Sequence, residues 1–350
     1  MQSSINPEIT GGSAFSSALR KGIPVLLAVV IAVSADSARA EAPVLSLPAD
    51  CDVGKTCWLV NFVDHDPGPG TQDFRCGHLS YNTHKGTDIA IADDAAMRRG
   101  VRVLAAAPGR VARVRDGVAD STKADLQSAT ALRGRECGNG LVIEHAGGWS
   151  TQYCHMKAGS LRVQPGDTVG RGAVLGEIGR SGRSEFPHIH MTVRDGTRVI
   201  DPFTATSNIN ACNVAARPAG LWAPDVAAAL TYPGPQPFNA GFATGAPTKA
   251  EIEAGTLAET RFAAHVPALV FWAEAFSLDR GDRIVLTLSA PDGTRVAEHQ
   301  TVIDRPLAKW HGFAGRKRRG AAWDAGIYTG RIEITRGGDV VVNSATATVE

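Results

Sequence analysis

Five side chains that could serve a metal-dependent reaction occur in three short segments of the 350-residue chain. His84 and Asp88 lie four residues apart in the sequence HKGTD, and His188 and His190 lie two residues apart in the sequence PHIH. A third segment, TQYCH, ends at His155. Imidazole and carboxylate groups are ordinary zinc ligands, and imidazole also titrates near neutral pH, so it can exchange a proton during a reaction.

The spacing within each pair limits which side chains can share one metal ion. On a strand, His188 and His190 point to the same face about 7 Å apart, so one can bind an ion while the other contacts water or substrate. On a flat strand His84 and Asp88 would lie ~13 Å apart, which is too far for one ion. Gly86 between them permits a bend or bulge that brings them together. Two imidazoles and one carboxylate leave a fourth position open, which is typical of catalytic zinc.

Each pair alone is weak evidence, because histidines on strands more often lie in a core or on a surface. The joint order of several blocks is more specific, and it resembles the LytM/lysostaphin-type zinc metalloendopeptidases over roughly residues 80–203. The blocks are HKGTD, VLAAAPGRV, GNGLVIEH, TQYCHM, VQPGDTVGRGAVLGEIGRSG and PHIHM. The resemblance implies a small, mainly antiparallel β domain of the lysostaphin type, related to hammerhead scaffolds. It also implies hydrolysis of peptide bonds in bacterial peptidoglycan.

The resemblance assigns a role to each of the five side chains. His84, Asp88 and His190 match the zinc ligands, with Asp88 as a monodentate ligand. His155 and His188 match the two catalytic histidines, which orient water and stabilise the tetrahedral intermediate. The expected cofactor is therefore Zn²⁺, and the expected partners are the peptide cross-links of peptidoglycan.

The chain departs from the family pattern at a few positions around these residues. Cys154 stands where a small residue is common, Met191 where an aromatic residue is common, and Glu185-Phe186 in place of a short glycine segment. These changes affect the walls of the site and therefore the substrate preference, rather than metal binding.

Two alternative functions share this scaffold. Some relatives have lost ligands and act as non-enzymatic activators of cell-wall amidases or as wall-binding proteins, but all five positions are filled here, which favours an enzyme. Residues Val163–Gly179 also resemble a biotinyl or lipoyl carrier, but that stretch contains no lysine to carry the group, so the likeness concerns the scaffold.

The N-terminal forty residues have the pattern of a secretory signal peptide. Arg20-Lys21 precedes the apolar run Ile23–Val33, and Ala38-Arg39-Ala40 provides a cleavage site after Ala40. The run is shorter than the ~20 residues that cross a bilayer, so we expect no transmembrane anchor from it. A buried N-terminal helix is the alternative. We expect a periplasmic or secreted protein.

Composition supports export and argues against nucleic-acid binding. The chain has 36 Lys+Arg against 35 Asp+Glu, so no overall basic charge attracts nucleic acid. Its six cysteines form an even set, which in an exported chain predicts disulfides. The sequence does not choose the pairing, although Cys51–Cys57 closes the shortest loop and is the first candidate.

The chain divides into four parts by composition and pattern. After the signal peptide (1–40), residues 41–212 form the expected peptidase domain with a stapled N-terminal segment, and residues 213–250 are a Pro- and Gly-rich linker. Residues 251–350 alternate apolar and polar positions in about seven strands, which predicts a C-terminal β-sandwich. The prediction is thus all-β, with an undetermined oligomeric state. Two local features are a short helix within Asp120–Leu132 and a basic loop at Arg316–Arg319, each with an open role.

Overall fold

The computed structural model describes residues 41–121, 132–207 and 220–350. The predicted signal peptide, most of the predicted helix in Asp120–Leu132, and Cys212 lie outside these residues. The described chain is almost entirely β with antiparallel sheets, which confirms the predicted fold class. No helix in these three ranges is long and apolar enough to cross a membrane.

The N-terminal part is built around one antiparallel sheet. Its strands follow the order β1-β2-β9-β6-β5-β4-β7, β10 pairs with β9, and β3 and β8 form a separate pair. The elements are β1 (Trp58–Asn61), β2 (Thr87–Ala90), α1 (Asp94–Arg99), β3 (Arg102–Leu104), β4 (Gly109–Arg115), β5 (Asn139–Glu144), β6 (Trp149–Met156), β7 (Thr168–Val169), β8 (Val174–Glu177), β9 (His188–Asp195) and β10 (Arg198–Ile200).

Alternation along β9 decides which side chains face the core. Ile189, Met191 and Val193 are fully buried, and Met191 lies opposite the buried Tyr153 of β6. Since successive side chains on a strand point to opposite faces, His190 and its same-face neighbours point away from this core. The apolar side chains therefore fix the strand that presents the histidines.

The C-terminal part consists of two sheets with an apolar core between them. One sheet has the order β11-β13-β16 and the other β12-β18-β17-β14-β15, and their facing residues include Phe271, Leu286 and Ile332. The elements are α2 (Pro224–Ala229), β11 (Gln236–Ala243), α3 (Lys249–Ala254), β12 (Arg261–Phe262), β13 (Ala268–Leu278), β14 (Arg283–Ser289), β15 (Arg295–Val302), β16 (Leu307–Lys317), β17 (Gly326–Arg336) and β18 (Asp339–Val349).

Two local predictions differ from this arrangement. The range 213–250, predicted as a linker, contains β11, which pairs with β13. Pro233, Gly234 and Pro235 precede this strand directly, but Pro237 and Gly241 lie within it. The predicted basic loop is shorter than expected, because Arg316 and Lys317 belong to β16 and pair with β13. The sequence of β16 contains two glycines and does not alternate regularly between apolar and polar residues, so its strand character is hard to recognise.

An aromatic cluster joins the two parts. Phe276 of β13 packs against Phe186, which immediately precedes Pro187 and β9, with 5.6 Å between ring centroids, and stacks on Phe238 at 4.0 Å. Trp58 of β1 completes the cluster. The outer face of the three-stranded sheet is thereby covered by the strand and loop that flank β2 and β9.

Disulfides close two loops of the N-terminal part. The Cys51–Cys57 bond is present, as the sequence suggested. Cys137 and Cys154 form a second bond, which ties the segment before β5 to β6 one residue before His155. Cys76 is also disulfide-bonded. These bonds are typical of proteins that fold in an oxidising compartment.

We expect Phe276→Ala to lower the free energy of unfolding by about 3–5 kcal/mol, because it removes a fully buried ring and leaves a cavity. Phe313→Ala on the neighbouring strand is the matched control, since Phe313 is 40% exposed and its loss should cost less than ~1 kcal/mol. Urea unfolding of both variants measures the difference, and equal losses would contradict the interface described above.

Candidate metal and catalytic site

Strand register brings Asp88 and His190 together. They are direct partners across the antiparallel pair of β2 and β9, so their side chains leave the same face at neighbouring positions. His84 lies before β2, in the loop that leads into it, and its ring is almost fully buried. The short loop and the strand register thus bring a third ligand group beside the other two.

The three ligand groups converge on one carboxylate oxygen. Asp88 Oδ1 lies 3.1 Å from His84 Nε2 and 2.8 Å from His190 Nδ1. The two imidazole nitrogens are 3.0 Å from each other. One ligand atom from each residue lies within 4.8 Å of the others, so the three groups could hold a single metal ion.

Contacts on the outer side of each group determine its protonation. His84 Nδ1 lies 2.6 Å from the carbonyl oxygen of Phe62, which can only accept, so the ring proton is at Nδ1 and Nε2 is free. His190 Nε2 lies 2.9 Å from the Thr192 hydroxyl, which can accept its proton in turn. The Asn61 side chain donates to Asp88 Oδ2 over 3.0 Å, leaving Oδ1 for the centre. Three lone-pair atoms therefore face one point, an arrangement that fits a divalent cation.

Gly86 allows this convergence because its backbone lies directly against β9. It forms a bend before β2 rather than a bulge within it. A Cβ at this position would lie 2.6 Å from the Met191 carbonyl oxygen and 2.7 Å from the His190 ring. The backbone before β2 therefore approaches β9 more closely than any side chain at position 86 would allow.

His155 and His188 form a second pair of rings next to this group. Their centroids are 4.6 Å apart, and His188 Nε2 lies 3.7 Å from Asp88 Oδ1. His155 Nδ1 donates to the Ser181 carbonyl oxygen over 2.8 Å, and His188 Nδ1 to that of Phe186 over 2.9 Å. Because both Nδ1 atoms carry the proton, both Nε2 atoms can accept one.

The surroundings set the charge of these groups. Burial, assisted by His188, lowers the pKa of His155 well below its ordinary value, so this ring is neutral at neutral pH. Burial also lowers the pKa of His190. Burial opposes ionisation of Asp88, but His84 and the other imidazoles outweigh it and hold the carboxyl pKa well below its usual range. The same pairing overcomes burial at His84 and raises its pKa.

All five residues predicted from the sequence lie in this one site. Sequence reasoning missed the side chains that orient them, namely Asn61, Thr192 and Ser184, whose hydroxyl lies 3.1 Å from His188 Nδ1. Thr192 continues the same-face positions of the HIHMT stretch and could have been noticed there. Asn61 lies opposite Asp88 on β1, and only the pairing of β1 with β2 shows this.

Two other histidines, His65 and His145, have their hydrogen-bond partners outside this group of five residues. His65 pairs with the buried Asp201 carboxylate at 2.8 Å. His145 contacts the Pro108 carbonyl oxygen and the Thr151 hydroxyl, and burial lowers its pKa. Both have structural partners.

The fold and the site together define a β domain with a clustered His–Asp–His group and two adjacent buried histidines. Residues 82–202 match the family model described as Peptidase family M23. This match agrees with the resemblance found in the sequence.

Several known proteins are similar to part of the chain. The DD-carboxypeptidase/endopeptidase Mpg of Neisseria meningitidis serogroup B is 34% identical over 82 residues, which are 23% of this chain and 18% of that protein. The cell division protein DipM of Caulobacter vibrioides is 31% identical over 71 residues, or 19% of this chain and 11% of that protein. The matched part thus spans less than a fifth of each of these curated relatives.

Two solved structures are also similar to part of the chain. The catalytic domain of a mutant of the prophage-encoded M23 protein EnpA from Enterococcus faecalis is 23% identical, with a TM-score of 0.29, over 46% of this chain and 94% of that one. The lysostaphin catalytic domain from Staphylococcus simulans is 21% identical, with a TM-score of 0.26, over 39% and 84%.

We expect Gly86→Ala to weaken the affinity for Zn²⁺ at least ~10-fold, because the added methyl displaces the His190 ring or the Met191 backbone. Competition with a chromophoric chelator measures this affinity. The control is Gly170→Ala, since a Cβ at that position would contact nothing within 4 Å. Unchanged affinity in Gly86→Ala would contradict the close approach of the two backbones.

Proposed function

We propose that the protein is an exported zinc metalloendopeptidase that hydrolyses peptide bonds in the peptide part of peptidoglycan. The observation that carries this proposal is the convergence of three ligand atoms beside two buried histidines, in the part of the chain that matches the model of peptidase family M23. The similarity to a DD-carboxypeptidase/endopeptidase and to a cell division protein is consistent with a substrate in the cell wall.

In this proposal His84, Asp88 and His190 hold the zinc ion, with Asp88 bound through Oδ1 alone. The hydrogen bond from Asn61 occupies the other carboxylate oxygen, which favours monodentate binding. When bound, zinc supplies Lewis acidity, which makes a peptide carbonyl more electrophilic and water more acidic.

His155 and His188 carry out the proton chemistry. Each ring is held through Nδ1 by a backbone carbonyl and presents Nε2 to the site. The pair orients the attacking water, and one ring accepts its proton at Nε2. The imidazolium so formed stabilises the negative charge that develops on the carbonyl oxygen, and its proton then passes to the leaving amine. The low pKa of His155 keeps that ring ready to accept a proton at neutral pH.

The alternative is a non-catalytic wall-binding protein, or an activator of cell-wall amidases, on the same fold. The complete set of ligands and catalytic histidines favours the enzyme. Zinc content and hydrolysis of purified wall peptides separate the two, because an activator needs neither.

The proposed compartment is the periplasm or the exterior of the cell, after cleavage behind Ala40. The disulfides Cys51–Cys57 and Cys137–Cys154 support export, since such bonds persist in oxidising compartments. We propose residues 41–212 as the peptidase domain and residues 251–350 as the C-terminal sandwich, with β11 in the intervening segment contributing a strand to it.

We expect His190→Ala to lose both zinc and hydrolysis, because it removes one of three ligands. Metal analysis of the purified variant and release of new peptide termini from wall fragments measure the two effects. The control is His145→Ala, which removes a histidine bonded outside the site. A His190→Ala protein that retained stoichiometric zinc would refute the ligand assignment.

We expect His155→Ala to retain zinc but to lower kcat about 10²–10⁴-fold, the usual contribution of a positioned acid–base group. Zinc content and the steady-state rate on one defined peptide are measured together, again with His145→Ala as control. Normal turnover in His155→Ala would rule out its proton-transfer role.

A further inference from the structure

A groove extends from the candidate metal site across the outer face of the sheet. One cavity opens at His84, His155 and His190, and a second lies over β4 and β5. The two cavities share Cys137, Gln152 and Arg194 in their walls. The two cavities are therefore adjacent on the outer face of the sheet, and together they are called the groove.

The register of four strands gives the length of the groove. Arg113, Val142, Gln152 and Thr192 form one cross-strand row over β4, β5, β6 and β9. Three strand spacings of about 4.8 Å place Arg113 ~14 Å from Thr192 along the row. Arg194, on the same face, lies a further two residues along β9, or about 7 Å from Thr192. An extended peptide of a few residues spans such a distance.

The groove has an excess of positive charge. Among the described residues that line it, Glu136 is the single carboxylate, whereas five residues are cations: Lys85, Arg113, Arg115, Arg183 and Arg194. Within the three described ranges, Arg113, Arg183 and Arg194 make no salt bridge to a carboxylate.

Two of these guanidinium groups, those of Arg113 and Arg194, line the same cavity. Burial and the charge of Arg113 both lower the pKa of Arg194, which remains charged at neutral pH. Like charges brought together in a half-buried setting cost free energy, and an anion between them reduces that cost. A guanidinium also matches the planar geometry of a carboxylate through paired hydrogen bonds.

We propose that this groove binds the carboxylates of a peptide whose scissile bond lies at the metal site. The inference rests on the proposed function and narrows its substrate class. Arg194 and Arg113 would select peptides that carry a free carboxylate a few residues from the cleaved bond. A neutral bridge made of glycine offers no such group and would gain nothing from the groove.

The test uses one soluble cross-linked wall peptide in two forms, with its carboxylates free or converted to amides. We expect the wild-type protein to prefer the free form. Arg194→Gln should raise KM for the free form about tenfold, the size of one charge-assisted hydrogen bond, and leave kcat and the amidated form unchanged. Arg113→Gln provides a second variant with the same expected pattern.

Arg110→Gln is the matched control. Arg110 is an exposed arginine of β4, the strand that also carries Arg113, and it does not line either cavity of the groove. Unchanged zinc content and thermal unfolding show that each variant is folded. Equal KM values for the two peptide forms, or an equal effect of Arg194→Gln on both, would overturn the proposal while leaving peptidase activity established.

Binding of the same two peptides to the full-length zinc-loaded protein, measured by calorimetry, separates the two hypotheses. If neither peptide is hydrolysed, the proposed function fails. The binding measurements then test by themselves whether the groove recognises carboxylates. A preference for the free form that Arg194→Gln abolishes supports the groove, whereas equal binding of both forms refutes it.

Discussion

The candidate site depends on one electrostatic constraint: two imidazole nitrogens and a carboxylate oxygen face the same point. His84 Nε2, His190 Nδ1 and Asp88 Oδ1 all lie within hydrogen-bond distance of one another. Such an arrangement of acceptors requires a cation or a shared proton between them. The surrounding contacts hold it in place, because Asn61 and the Phe62 carbonyl bind the outer atoms and Gly86 allows the backbones to approach.

The scaffold supplies rigidity to this arrangement from two sides. On the core face of β9, Met191 packs at the position opposite the buried Tyr153. This burial fixes the opposite face of the strand as the one that carries His188 and His190. At β6, His155 adopts a positive φ of 64°, which a non-glycine residue holds only when its surroundings determine it. The neighbouring Cys137–Cys154 bond and the hydrogen bond to Ser181 provide such surroundings.

The C-terminal sheets are in contact with the same site. The Phe186 carbonyl accepts the His188 proton, and the Phe186 ring packs on Phe276 of β13. The departure of the chain at Glu185-Phe186 from the pattern of the family it resembles thus has a structural counterpart, since this aromatic residue connects the loop before β9 to the second β unit. Packing in the aromatic cluster is thereby coupled to the position of His188.

The sequence by itself predicted the fold class, selected five candidate side chains and made Cys51–Cys57 the first candidate for a disulfide. Their signals are local, because an HxxxD or HxH spacing and an alternating strand can be recognised within a few residues. Tertiary structure decided what depends on partners far apart in the chain. Asn61 reaches Asp88 across 27 residues, and His84 reaches His190 across 106. The strand character of β11 and the alignment of Arg113 with Thr192 likewise appear only after strands pair, since a single sequence carries no record of which strand lies beside which.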